Sequence, residues 1–160
     1  MNKFDPNKAY TNEDFYSSIE ALEDKFEKYR DDVNTYIIDK VTKKLNDIRE
    51  IPEVQVHVAS QRQRLVDMSA SLKTDLRRKS KQILHNRKKL FYLYRTKHNL
   101  GLNDTEINKH IDADLEHHSH YKMALENQID FCKRSIETLD KVGFMIKYMI
   151  DQHKYLSGAF

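Results

Sequence analysis

The sequence predicts an all-α protein: long helices with coiled-coil-like seams, elongated, and assembling as a homo-oligomer. Three observations lead there. Only three Gly and two Pro punctuate 160 residues. Charged residues make up 33% of the chain and apolar residues 39%, a balance that suits narrow apolar stripes better than a large core. Apolar residues also recur in steps of three and four over long stretches, the period of helices buried on one side.

Residues 1–11 read as a loose tail. From Asn12, the series Phe15, Ile19, Leu22, Phe26, Tyr29, Val33, Ile37, Val41, Leu45, Ile48 follows heptad steps that stutter after Val33. It predicts one helix over 13–49. Pro52 stops that helix, because the residue before a proline avoids the helical region. The same proline suits the first turn of the next helix, with Glu53 at the positive end. Val54, Val56 and Val58 alternate with polar residues, which is a strand signal. They lead straight into Leu65, Met68, Leu72 and Leu76 at helical spacing, and helix is the preferred reading.

The second helix extends to about His98, where Gly101 supplies a stop. Asn103 and Glu106 have the spacing of a capping box and begin a short turn or helix through Ile111. A third long helix covers 114–156, with the seam Leu125, Ile129, Cys132, Ile136, Leu139, Gly143, Ile146, Ile150, His153, closed by Ser157 and Gly158. Three segments follow within a single structural unit: an N-terminal tail and amphipathic helix (1–50), a basic helix (51–102) and a C-terminal oligomerisation helix (103–160).

Charge is concentrated in the middle segment. Lys73 to His98 holds ten Lys or Arg against the single acid Asp75, a net +9, whereas residues 1–72 and 99–160 are each −3. With Ile83 set at zero on a helical projection, Leu72, Leu76, Leu90 and Tyr94 fall within about 20°, with Leu93 further round on the same side. Arg78, Lys81, His85, Lys88, Tyr92 and Arg95 step along the opposite side, with Arg77 and Lys89 at the edges. The stripe from Arg78 to Arg95 covers about 26 Å. A soluble coiled-coil face mixes signs by pairing Glu with Lys at i,i+4; this one repels itself unless an anion is present. Three readings stand: a nucleic acid, an acidic protein partner, or plain solvated surface. No set of Asn or Gln beside Arg suits bidentate base reading. A cationic face with an aromatic platform favours single strands bound without sequence preference. The expected contacts are Arg77, Arg78, Lys81, Lys88, Lys89, Tyr92 and Arg95.

The C-terminal helix carries Val142, Phe144, Met145 and Met149 outside its seam, more apolar surface than one antiparallel neighbour covers. That predicts self-association through Ile129, Cys132, Ile136, Leu139, Gly143, Phe144, Ile146 and Ile150, with intramolecular core as the alternative. Gly143 costs about 1 kcal/mol of helix stability relative to Ala, which a close approach by a neighbouring backbone would explain.

Catalytic signals are weak, and the expectation is a non-enzyme without metal or cofactor. His110, His117, His118 and His120 lie near Asp112 and Asp114, but no Cys joins them and no HExxH occurs. Cys132 is a lone thiol on an apolar seam, so no intramolecular disulfide forms. The N-terminal residues lack an apolar signal segment, no stretch approaches the about 18 apolar residues of a membrane span, and a reducing cytoplasm is expected.

The tail from Tyr121, YKMALENQIDFCKRSIETLDKVGFMIKYMIDQHKYLSG, adds a resemblance. Its IDFC, spaced Leu139 and GF-x-IK before Gly158 resemble the C-terminus of UvsY, the recombination mediator family of T4-like phages. Lys88–Lys89 followed by Arg95 and Gly101 looks like that family's basic segment, although Leu93 stands where members often have Lys. Pro52–Glu53 resembles the start of the shared region, and the helix over 12–49 has no counterpart. The resemblance implies a non-enzymatic protein, a hexamer or heptamer assembled through the C-terminal region. It would bind single-stranded DNA through Lys88, Lys89 and Arg95 and help a RecA-like recombinase displace single-strand-binding protein, in the cytoplasm of an infected bacterial host. A structural scaffold that binds an acidic protein partner is the alternative.

Overall fold

The computed structural model describes residues 12–37, 44, 47–96 and 102–158, with side chains from residue 19 onward except that of residue 48. Among these residues the protein is all-α, with no strand: α1 (Asn12–Tyr36), α2 (Ile51–Thr96), α3 (Asp104–Asp114) and α4 (Glu116–Ser157). The helix expected over 13–49 is shorter. α1 ends at Tyr36, Ile37 takes a π-type turn, and a 3-10 turn over Ile48–Glu50 precedes α2. The π turn follows directly on the point where the heptad steps stutter, as an inserted residue shifts the apolar face round the helix. Val41 and Leu45, and the side chain of Ile48, lie outside what is described.

α2 begins at Ile51, with Pro52 in its first turn, where a proline loses no helical hydrogen bond. The valine alternation is helical: Val54 and Val58 are buried one turn apart, while Val56 is 69% exposed. Asn103 caps α3 in both directions. Its Oδ1 accepts from the Glu106 backbone N–H at 3.0 Å, and the Glu106 carboxylate accepts from the Asn103 N–H at 2.9 Å. This box satisfies two of the donors a helix start leaves unpaired. α3 continues beyond Ile111 to Asp114, and α4 begins at Glu116 after a one-residue break at Leu115. Gly158, at φ 67, ends α4 in the left-handed region that glycine adopts without strain.

The chain forms two compact units, one from residues 1–25 and 78–124, the other from 26–77 and 125–160. All three boundaries fall inside helices. In the second unit, Phe26 and Val33 of α1, Ile51, Val54, Val58, Leu65 and Leu72 of α2, and Leu125, Cys132, Leu139 and Ile146 of α4 are buried. The Arg62 Nε–H donates to Asp140 Oδ1 at 2.6 Å, and Gln128 Nε2 lies 3.8 Å from Met68 Sδ, so α2 and α4 run antiparallel there. Gln128 is fully buried, and its Oε1 accepts from Arg30 Nε at 3.0 Å while the Arg30 guanidinium sits 5.9 Å from the Phe131 ring centre. An interior amide held by a charge-assisted donor avoids the cost of an unmade hydrogen bond.

In the first unit, Ile107, Ile111 and Leu115 form a buried cluster against Ile83, Leu90, Phe91, Tyr94 and Leu102. That cluster fixes α3 along the basic part of α2.

Candidate nucleic-acid interface

The apolar side of α2 over residues 78–96 is the side that packs. Ile83, Leu90 and Tyr94 lie against α3 as their spacing requires, and Phe91 joins them. Phe91 therefore serves the core and is not a surface aromatic; its position about 80° from Ile83 puts it at the rim of the packing face. The opposite side is open. Arg78, Lys81, His85, Lys88, Lys89, Tyr92, Arg95 and Thr96 are all exposed, Tyr92 at 70%. Leu84, also exposed, adds an apolar patch beside them. His85, Lys88, Lys89, Tyr92, Leu93 and Thr96 line a shallow open depression on this face. Arg77 is exposed as well and belongs to the other compact unit.

The cations are not equivalent. Arg95 Nη1 donates to Asp104 Oδ1, and Arg87 Nη2 donates to Asp112 Oδ1 at 2.5 Å. Eight residues separate the two arginines and eight separate the two aspartates, so α3 lies antiparallel along one flank of α2. The Tyr94 hydroxyl donates to Asp114 Oδ2 at 2.8 Å, and the neighbouring carboxylate raises the pKa of the phenol. The Tyr94 ring stacks on His110 with centroids 5.8 Å apart. Lys79 turns toward the packing side, its ammonium 4.7 Å from the Tyr121 ring centre, and burial lowers its pKa. Among the described residues, no acid lies within ion-pair distance of Lys81, Lys88 or Lys89.

The carboxylates of Asp104, Asp112 and Asp114 are the part of this surface that periodicity along α2 could not reveal. Their signal was the eight-residue spacing of Asp104 and Asp112 against the same spacing of Arg87 and Arg95, which becomes readable only once a hairpin between α2 and α3 is assumed.

Among the described residues, no group of three or more His, Cys, Asp or Glu is placed to hold a metal ion. His118 is buried, and its pKa falls to about 4, first through burial and then through the charges of Lys79 and His117. Cys132 is a buried free thiol whose pKa burial raises, the opposite of an activated nucleophile.

Of the positions expected to assemble protomers, Cys132, Leu139 and Ile146 are buried within their own chain, Ile129, Ile136 and Ile150 are half-buried, and Gly143 and Phe144 are exposed. A Cβ on Gly143 would meet nothing within 4 Å, so no neighbouring backbone among the described residues accounts for that glycine. Beyond Leu139 the outer side of α4 carries Phe144, Met145, Tyr148, Tyr155 and Leu156, all exposed. No helix of the described residues is long and apolar enough to cross a membrane.

Fold and surface together define a class: an all-helical protein with a cationic, tyrosine-bearing helix face and an aromatic C-terminal helix. No protein-family model, curated protein or solved structure matches the chain.

Proposed function

We propose that this protein is a non-enzymatic recombination mediator. It binds single-stranded DNA without sequence preference and helps load a RecA-like recombinase onto DNA covered by single-strand-binding protein. The observation that carries the reading is the outer face of α2, where Lys81, Lys88 and Lys89 are exposed with no described acid in ion-pair reach and Tyr92 stands among them. Lysines placed on phosphates gain affinity by releasing condensed counterions, and an exposed ring offers a base a stacking surface. The recombination role rests on the resemblance of residues 121–158 to the UvsY family. The exposed aromatic side of α4 supports assembly into a homo-oligomer, which would join several weak strand sites into one strong one by effective concentration.

Fluorescence anisotropy of the full chain with labelled single-stranded DNA tests the reading. Binding at about 50 mM salt that weakens strongly by about 200 mM is the expected result. No binding at the lower salt, or indifference to salt, refutes it. Salt-sensitive binding to polyglutamate in place of DNA would point to the scaffold alternative. Reversing the charges of Lys88 and Lys89 should weaken DNA binding and leave the solution mass unchanged.

A further inference from the structure

We infer that α1 of a second copy of this chain occupies the basic face of α2 when no nucleic acid is bound, an inference that rests on that face being a site for polyanions. α1 carries eight acids against three bases, a net −5. Ile19, Phe26 and Val33 bury one side of it, at 6%, 6% and 1% exposure. With Phe26 set at zero, Glu20, Asp24, Glu27 and Asp31 fall between about 100° and 160°, in steps of 4, 3 and 4 residues. All four are exposed. Among the described residues, no base lies within ion-pair distance of any of them. The bases of α1 itself do not answer them: Arg30 turns inward to Gln128, and Lys25 and Lys28 pair with none of the four.

The outer face of α2 repeats that geometry with the opposite sign. Lys81, His85, Lys88 and Tyr92 also step by 4, 3 and 4 residues, about 140° to 200° round from Ile83, and Lys89 lies beside them. Each stripe runs about 16 Å along its helix, so the three lysines and the four carboxylates match along one helix-on-helix contact. Each face also holds like charges one turn apart, which repel. Bringing the two faces together between copies relieves both. The contact is weak by construction, because exposed ion pairs contribute little singly and are screened by salt. It therefore fills the face without setting the solution mass, and copies already joined through α4 raise its occupancy by effective concentration. A DNA strand presents an unbroken row of phosphates and displaces the carboxylates. α1 thus sets a threshold: short or weakly charged polyanions leave it in place, and a long strand removes it.

The experiment mixes isotope-labelled and unlabelled full chains at about 50 mM salt and treats them with a carbodiimide, which joins a carboxylate to a lysine amine in contact with it. Mass spectrometry separates links between copies from links within one. Links between copies should join Glu20, Asp24, Glu27 or Asp31 to Lys81, Lys88 or Lys89, and saturating single-stranded DNA should lower their yield by about fivefold or more. The variant Asp24→Lys/Glu27→Lys/Asp31→Lys should lose the links from Glu20 by a similar factor. Adding Lys81→Glu/Lys88→Glu/Lys89→Glu to that chain returns the net charge to its original value and should bring links between the two stripes back with their chemistry reversed. Circular dichroism on each variant shows that the helices persist. Links confined to single chains, links between copies that DNA leaves unchanged, or no rescue in the exchanged chain overturn the inference while the binding reading stands. Links between copies in a protein that binds no DNA overturn the nucleic-acid reading and leave the contact between copies standing. Neither links nor DNA binding overturns both.

Discussion

Replacing Lys88 and Lys89 together by Gln removes two cations from the centre of the candidate interface, and the expected effect can be worked from the count of charges. Three exposed lysines on the outer face, Lys81, Lys88 and Lys89, have no described acid in ion-pair reach. Each phosphate neutralised on a single strand contributes about −0.7 to the slope of log affinity against log salt, so three give about −2. If Arg78 and Arg95 also reach phosphates, the slope steepens to about −3.5. Between about 50 and 200 mM salt, these slopes predict losses of about 20-fold and about 130-fold. The double substitution removes about 1.4 from either slope, so the loss over the same range shrinks by about sevenfold whichever set is engaged. Anisotropy titrations at four salt concentrations read the slope directly, with circular dichroism to show that α2 persists. A variant that binds less tightly with an unchanged slope would refute the reasoning, because its lysines would then be acting on something other than phosphate.

Tyr92→Ala should cost about 1–3 kcal/mol of single-strand affinity and leave the salt slope unaltered, since stacking releases no counterions; a changed slope would mean that the ring orders the lysines instead. Acidification should destabilise the fold through His118. The unfolded chain takes up its proton near pH 6.5 and the folded chain only near pH 4, so stability is lost as pH falls through that window, by up to about 3 kcal/mol. Urea unfolding at pH 7 and pH 4.5 should show that loss, and His118→Met should remove most of it. Leu139→Ala should cost about 2–5 kcal/mol in the same assay, because the side chain is fully buried within its own chain. Gly143→Ala should stabilise the chain by about 0.5–1 kcal/mol, as the added methyl meets nothing; light scattering that shows a smaller particle in that variant would place the glycine between protomers.

Local grammar was legible where one residue type has one physical use. Pro52 could only start a helix or end one, the Asn103 and Glu106 pair had a single reciprocal arrangement, and the stutter after Val33 marked where α1 departs from regular turns. The valines at 54, 56 and 58 were ambiguous because three residues cannot separate a period of 2 from one of 3.6; the leucines that follow decided it. The buried side of α4 was read less well. Hydropathy ranks Ile129 and Ile136 above Gln128 and Ser135, yet the two polar residues are the buried ones. A helix faces its neighbours at an angle set by what they offer, and Arg30, 98 residues away in sequence, offers Gln128 a donor. Such a pairing leaves no periodic trace in either segment.

The same distinction bears on the net +9 segment. Its charges are sorted by angle round α2. Lys79, about 40° to one side of Ile83, is taken up over the Tyr121 ring. Arg87, about 40° to the other side, and Arg95, about 120° round, are taken up by Asp112 and Asp104. The chain thus supplies partners for cations on the packing side and one flank. It supplies no described acid for Lys81, Lys88 and Lys89, although α3 carries four acids within the same compact unit. A solubilising face would gain by spreading those acids among the lysines, since like charges one turn apart repel by a few tenths of a kcal/mol per pair. Leaving that repulsion in place, with an exposed tyrosine among the charges, is what a surface kept for an outside polyanion requires.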